Sequence, residues 1–191
     1  MTPEPEPDTV KRVMEAVPRR EFLPEDVKDL AAVDSALPIG FGQTNSQPRT
    51  VARMLRLLEA QPGDTVLDLG AGSGWTTALL GHLVGPAGRV IGIELVPELA
   101  QRASAALGRF QLPQAEVHEA GQDSLGAPER APFNRILVSA EAEDLPRELI
   151  AQLADGGVMV IPVRGEMLRV QKQHHDVSIT HHGPYSFVPL R

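Results

Sequence analysis

The stretch TVLDLGAGSG (65–74) constrains this chain more than any other. TVLDLG (65–70) is an apolar run of the length of one buried strand. Gly70, Gly72 and Gly74 follow at alternate positions, and a helical run opens at Trp75 and reaches Val84. Downstream the alternation repeats. RVIGIE (89–94) reads as a second strand, Pro97 to Leu107 as a helix, AEVHEA (115–120) as a third strand and NRILVS (134–139) as a fourth. Leu145 to Leu153 reads as a helix, ADGG (154–157) as a turn and VMVIPV (158–163) as a fifth strand. Strands and helices joined by short turns imply a parallel sheet covered on both faces.

The two ends differ from this core. MTPEPEPD (1–8) is acidic and proline-rich, reads as a disordered tail, and lacks the basic start and apolar centre of a secretory signal. Residues 9–30 read as helical, with VPRREFLP (17–24) as a break. LPIGFGQTNSQP (37–48) is too irregular for a strand, yet its last residues begin a helix. Ser46 is placed to cap that helix, Pro48 is tolerated in its first turn, and Val51, Met54, Leu55 and Leu58 fall at helical spacing up to about Ala60. MLRVQKQ (167–173) and DVSITH (176–181) read as a hairpin closed by His174 and His175, and GPYSFVPL (183–190) as one more strand. The expected fold class is α/β, a doubly wound, mostly parallel sheet with antiparallel C-terminal strands and N-terminal helices. It forms a single domain over 9–191, divided into an N-terminal segment (9–60), a core (61–165) and a C-terminal hairpin (166–191).

Bulk properties exclude several function classes. A length of 191 residues suits one domain with a substantial core. The net charge of −7 argues against a nucleic-acid partner, which needs a basic face. No apolar run is long enough for a membrane span, so no membrane partner is expected. The absence of cysteine removes disulfide and thiol chemistry and makes a cytoplasmic location the default. His174, His175, His181 and His182 lack the spacing of a helix-borne metal site, and no metal is expected. Trp75 and Phe133 read as packing residues, although Trp75 adjoins the glycine turn.

Glycines after a strand let the backbone approach a ligand and let a helix start beside it. The dinucleotide fingerprint G-x-G-x-x-G fails here, because its last place falls on Trp75. No G-K-S/T follows either. The variant E/D-x-G-x-G, with an acid ending the second strand, resembles the class I S-adenosylmethionine-dependent methyltransferases. Asp68, Gly70, Gly72, Gly74 and Glu94 carry the resemblance. Glu94, at the tip of GIE, can accept hydrogen bonds from both ribose hydroxyls. Asp68 would attract the cofactor's ammonium through the loop or a water. The N/D/S-P-P-Y/F signature of amine-methylating relatives is missing from SAEAEDLP (139–146).

LPIGFGQTNSQP, preceded by AVPRREFLP, resembles a narrower family, the protein-L-isoaspartate O-methyltransferases, as do APFNRILV (131–138), LIAQLADGGVMVIPV (149–163) and GPYSFVPL (183–190). The resemblance covers the chain from about Val10. It implies S-adenosyl-L-methionine as cofactor, an isoaspartyl protein or peptide as partner, and methylation of the free isoaspartyl carboxylate. It places Thr44 and Ser46 at the acceptor, with the Ser46 hydroxyl donating to that carboxylate. The family's acid beside the adenine appears as Gly121-Gln122-Asp123, so either Gln122 or Asp123 would take the adenine amino group. Asn134 stands where the family has aspartate. The family's small uncharged run after strand four is Ser139-Ala140-Glu141-Ala142-Glu143 here. A Glu141 facing the acceptor would repel a carboxylate or bond an amine; facing outward, it leaves the site neutral. Other acceptors, or a catalytically silent cofactor-binding module, are the alternative functions.

Overall fold

The computed structural model describes residues 8–121, 124–174 and 176–191. Gln122, Asp123, His175 and the tail up to residue 7 lie outside the described residues. Asp8, assigned to the tail above, belongs to the fold: its carboxylate accepts from the Lys11 N–H and caps the first helix.

Prolines shape the N-terminal part. Helix α1 (Thr9–Ala16) stops before Pro18, and two short 3-10 helices, Arg19–Phe22 and Glu25–Leu30, each follow a proline. The 9–30 stretch is therefore three pieces. LPIGFGQTN, expected to be irregular, pairs with itself as an antiparallel hairpin of β1 (Leu37–Gly40) and β2 (Gln43–Asn45). Gly40, Phe41 and Gly42 all have positive φ, which closes the hairpin in a tight turn. Helix α2 (Pro48–Leu58) buries Val51, Met54, Leu55 and Leu58 on one face, as their spacing predicts. Its N-cap is Gln47, not Ser46, and the Gln47 side chain accepts from the Thr50 hydroxyl but from no backbone N–H of the helix. Asp34 takes over that task from the preceding loop, its Oδ1 accepting from the Arg49 N–H at 3.0 Å.

The core alternates as expected: β3 (Thr65–Leu69), α3 (Trp75–Val84), β4 (Arg89–Glu94), α4 (Pro97–Gly108), β5 (Ala115–Glu119), β6 (Phe133–Val138), α5 (Arg147–Gln152) and β7 (Leu153–Val163). ADGG lies inside β7, next to a register shift against β6, rather than in a separate turn. The hairpin of β8 (Glu166–Gln173) and β9 (Asp176–Pro184) completes a seven-stranded sheet of order β5-β4-β3-β6-β7-β8-β9. β3 to β7 are parallel and the last two strands antiparallel. GPYSFVPL adds no further strand: β9 ends at Pro184, and Pro189 makes an isolated bridge to Glu141.

Two apolar clusters cover the two faces. Residues of α1 to α4, among them Val10, Leu55, Leu80 and Ala103, pack on one side of the sheet. Leu149 of α5, with Phe133, Ile136 and Met159, packs on the other. Phe133 and Trp75 are buried packing residues, as expected, and the Trp75 Nε1–H donates to the Val17 carbonyl at 3.0 Å. Asn134 accepts from the Thr65 N–H at 2.8 Å and so ties β6 to the start of β3. His174, His181 and His182 lie on the exposed C-terminal hairpin, His181 beside Glu166.

From β3 the chain winds outward through β4 and β5, then returns to place β6 on the other side of β3. The strand order reverses between β3 and β6. In open α/β sheets, ligands bind outside the carboxyl ends of strands at such a switch point.

Candidate active site

A cavity of about 860 Å³ opens at that switch point. Its floor is the turn after β3, its sides are the ends of β4 and β6, and the β1–β2 hairpin forms its roof. Gly70, Gly72 and Gly74 all have positive φ, a backbone no other residue type adopts readily. Gly70 and Ala71 both donate to the Ile93 carbonyl, at 2.8 and 3.0 Å, which locks the turn to β4. A Cβ on Gly74 would lie 3.0 Å from the Ala103 Cβ, so glycine there also lets α4 approach.

Glu94 ends β4 almost fully buried, with its carboxylate on the cavity. Oε2 accepts from the Gly72 N–H at 2.7 Å and Oε1 from the Val96 N–H at 2.9 Å. Each oxygen keeps a further lone pair for a ligand. The acid thus has two tasks: it shapes the turn and offers acceptors to a diol.

Asp68 lies beneath the turn, fully buried, and does not line the cavity. Its Oδ2 accepts from the Thr76 and Thr77 hydroxyls at 2.8 and 2.7 Å, while Oδ1 has no hydrogen-bond partner. Burial pushes its pKa up to about 6, with the threonine hydroxyls opposing and the Glu94 charge assisting. Of Asp68 and its two threonine partners, Thr76 alone reaches the cavity wall.

On the roof, Thr44, Asn45 and Ser46 line the cavity. Among the described residues the Thr44 and Ser46 hydroxyls bond no protein group, so both are available to a ligand. The backbone behind them is held by Arg19, which is 5% exposed. Its Nε donates to Asn45 Oδ1 at 2.6 Å, and its Nη atoms donate to the carbonyls of Val33, Ser35, Asn45 and Ser46 at 2.8 to 3.1 Å. The guanidinium also stands 5.7 Å from the Trp75 ring centroid. Burial lowers its pKa and the charge of Asp34 opposes that shift. Asn45 in turn donates to Ser73 Oγ at 2.9 Å, joining roof to floor.

The wall after β6 consists of Ser139 and Ala140, opposite the Val188 to Leu190 segment. Glu141 is not part of it. It lines a separate cavity of about 370 Å³ with Glu143, Arg164 and Phe187. Its backbone is held there by two hydrogen bonds, to the Val188 carbonyl and from the Leu190 N–H, both 2.7 Å. Among the described residues, no histidine, lysine, cysteine or tyrosine lines the main cavity.

The structure thus brings Thr44, Ser46, Gly70, Gly72 and Glu94 to one cavity, sets Asp68 behind it and Gly74 against Ala103 rather than in the lining, and leaves Gln122 and Asp123 outside the described residues. Sequence reasoning missed Arg19, Asn45, Ser73 and Thr76. Arg19 carried a weak signal, an arginine between the apolar runs AVP and FLP; Ser73 was hidden by the glycines around it.

A doubly wound sheet with a glycine turn, an acid on the next strand and a cavity at the switch point is the architecture of the S-adenosylmethionine-dependent methyltransferases. Residues 5–191 match the model of one family within that class, Protein-L-isoaspartate(D-aspartate) O-methyltransferase (PCMT), and the chain belongs to that family. A protein-L-isoaspartate O-methyltransferase of Methanopyrus kandleri is 46% identical over 95% of this chain and 82% of its own length. One from Aeropyrum pernix is 48% identical over 81% of this chain, which spans 61% of that protein. Among solved structures, a Plasmodium falciparum beta-aspartate methyltransferase (PCMT) in complex with S-adenosyl-L-homocysteine has the same fold. It aligns with a TM-score of 0.86 at 23% identity, over 98% of this chain and 92% of its own.

Proposed function

We propose that this protein transfers a methyl group from S-adenosyl-L-methionine to the free carboxylate of L-isoaspartyl residues in damaged proteins or peptides. Family membership supports the reading. The observation that carries it to this site is the chemistry of the cavity roof and walls. The roof and the Ser139–Ala140 wall offer hydroxyls and backbone groups but no side chain suited to remove a proton; the two carboxylates of the lining, Glu94 and Glu119, stand at the ends of β4 and β5. An amine or alcohol acceptor needs such a base; a carboxylate, already ionised at neutral pH, does not. The placement of Glu141 at the second cavity keeps its charge out of the main one.

The residues present fit the cofactor. The cavity volume is that of a site for a ligand of this size. Glu94, with an unused lone pair on each oxygen, binds the two ribose hydroxyls. The turn from Gly70 to Gly74 lies against the methionine part, and Asp68 acts through Thr76 rather than by contact. By position in the chain, Gln122 or Asp123 takes the adenine amino group. When bound, the cofactor supplies an electrophilic methyl on a sulfonium. The chain's own task is to hold the acceptor oxygen in line with it and to exclude water. Such alignment contributes roughly 7–11 kcal/mol in favourable cases. Thr44 and Ser46 perform it, with the Ser46 hydroxyl donating to the acceptor carboxylate. Its freedom from capping duty, taken over by Asp34, leaves that hydroxyl available.

Labelled S-adenosyl-L-methionine and matched isoaspartyl and aspartyl peptides test the reading. Base-labile label is expected on the isoaspartyl peptide alone; label on both, or on neither, refutes it. Ser46→Ala is expected to lower turnover about tenfold, the worth of one hydrogen bond to a charged group, with S-adenosyl-L-homocysteine affinity unchanged within about twofold.

A further inference from the structure

The large sheet has two edge strands, β5 and β9, and they are built differently. β5 is short and charged: Glu116 accepts from Arg89 and Arg130 and lies beside His118. Short, charged edges resist pairing with another chain. β9 is longer, and from Asp176 to His182 it carries neither proline nor lysine. Its ladder with β8 runs without a shift from Asp176 to His181, and those residues are all exposed. Along β9 the side chains alternate between the two faces. Val177 and Ile179 stand opposite Lys172 and Val170 of β8. Val170 is fully buried in the apolar layer that includes Leu149 of α5, and the Lys172 ammonium donates to the carbonyls of Ile150 and Leu153. One strand further out that cover stops, leaving Val177 40% and Ile179 42% exposed.

We infer that the free edge of β9 pairs antiparallel with the β9 of a second copy of this chain, about a two-fold axis at Ile179. The strand itself fixes the axis. A two-fold that continues the sheet sets side chains of like facing opposite each other, so odd positions meet odd and even meet even. The stretch Asp176–His182 ends at Gly183, whose φ is 91°, and its middle residue is Ile179. With Ile179 opposite its own copy, Ser178 meets Thr180, Val177 meets His181 and Asp176 meets His182, each twice. Apolar, hydroxyl and acid–base pairs of this kind stabilise a ladder, and no like charges face each other. His182 Nε2 lies 2.8 Å from the Thr180 hydroxyl, which leaves Nδ1 for the Asp176 carboxylate of the other copy. An axis at Ser178 would set His182 against His174. An axis at Thr180 would set Asp176 against Pro184, which has no N–H to donate. The pairing makes one continuous sheet and gathers Val177 and Ile179 of both copies on the face that Val170 begins. None of residues 176–182 lines the main cavity, so both copies keep an open site. The paired area is small beside that of a permanent dimer, so the association is reversible and depends on concentration.

Sedimentation velocity from micromolar to near-millimolar concentration reads the association, with thermal melting as the check on folding. The unaltered protein is expected to pass from monomer to dimer over that range. Ile179→Lys removes the isoleucine pair and sets two like charges at the axis, so it is expected to weaken the dimer by about tenfold or more. Asp176→Lys and His182→Asp are each expected to weaken it as well, and the double variant to regain it, because the exchanged charges again face each other. The chain has no cysteine, so a single introduced thiol reports proximity. Under oxidation Ile179→Cys is expected to give a disulfide-linked dimer, since its two copies adjoin at the axis. Asp176→Cys is expected to give none, since its two copies lie at opposite ends of the pairing. A protein that stays monomeric at every concentration overturns the proposal. So does a dimer that Ile179→Lys leaves intact, or one that crosslinks as well through Asp176→Cys as through Ile179→Cys. Should the edge instead take up an extended segment of a protein substrate, the chain stays monomeric and Ile179→Lys raises the KM for an unfolded isoaspartyl protein but not for a short peptide; that result also overturns pairing with a second copy.

Discussion

On the floor of the cavity, main chain holds main chain. Gly70 and Ala71 donate to Ile93, and Ser139 donates to Leu69 at 2.8 Å, so the turn inherits its position from the parallel ladder beneath it. On the roof, the hairpin has only its own short pairing with itself and hangs otherwise on side chains. Arg19 binds Asn45 and the carbonyls of Val33, Ser35, Asn45 and Ser46; Asp34 fixes the start of α2; Arg102 stacks over Phe41 at 5.7 Å. One wall is distributed over many backbone bonds, the other concentrated in a few side chains. Damage to the floor should fall on cofactor affinity and spare the fold. Damage to the roof should fall on the acceptor, and at Arg19 on stability too.

Arg19→Met should show the largest effect. It removes the arginine donors from four carbonyls and the Asn45 amide oxygen, of which the Val33 carbonyl keeps the Ser35 N–H, at a cost of about 3–5 kcal/mol measured as the shift in urea midpoint. In the protein that remains folded, peptide KM should rise more than the dissociation constant of S-adenosyl-L-homocysteine; equal losses would erase the distinction between the walls. Glu94→Ala comes next, with homocysteine affinity falling about a hundredfold, near 3 kcal/mol, at little cost to the melting temperature.

Asp68→Asn tests the layer under the floor. The native pKa of about 6 lies above the ordinary value of 3.8, so between those pH values the folded protein holds more protons than the unfolded chain. Stability should therefore fall as pH rises through this window and level off above it, by about 2–3 kcal/mol. Asp8, Glu25, Glu116 and Asp155 have lowered values and act in the opposite sense. The readout is thus the difference between the stability curves of Asp68→Asn and the unaltered protein, which should close as pH drops toward 4. A flat difference would place Asp68 in water. Phe41→Ser should be smallest. The ring is half exposed and its contact with Arg102 is worth about 0.5–1 kcal/mol, so peptide KM should rise no more than about threefold while cofactor affinity holds.

The same contrast explains what the sequence made legible. The floor was readable because its causes are local: an apolar run, three glycines and an acid on the next strand are adjacent in the chain, and each has one physical use. The parallel sheet with helices on both faces followed from the alternation, while its strand order did not. The roof was legible only as a block of residues resembling a family. Its hairpin was not anticipated, since Gly40 and Gly42 look like breakers until Leu37 is seen opposite Asn45. Ser46 as a cap failed because the competing cap, Asp34, comes from a segment whose position no local pattern announces. Arg19 and Asn45 meet across 26 residues of sequence, and the use of each is visible only beside the other. The orientation of Glu141 depends on pairing with Val188 and Leu190, a contact between distant loops.

The approach of Gly74 to Ala103 bears on how this family can diverge. A side chain on Gly74 would meet both the Cβ and the Cα of Ala103, at 3.0 and 3.2 Å, and Ala103 is itself fully buried. Position 103 therefore has almost as little room to change as the motif glycine, although it sits in an unremarkable helix and touches no ligand. Among descendants of this chain, a larger residue at 103 should be accompanied by a shift of α4 away from the turn, and hence of the Glu94 to Val96 corner from which α4 begins. Drift in an anonymous helical alanine would be felt, one step removed, at the buried carboxylate that faces the cavity.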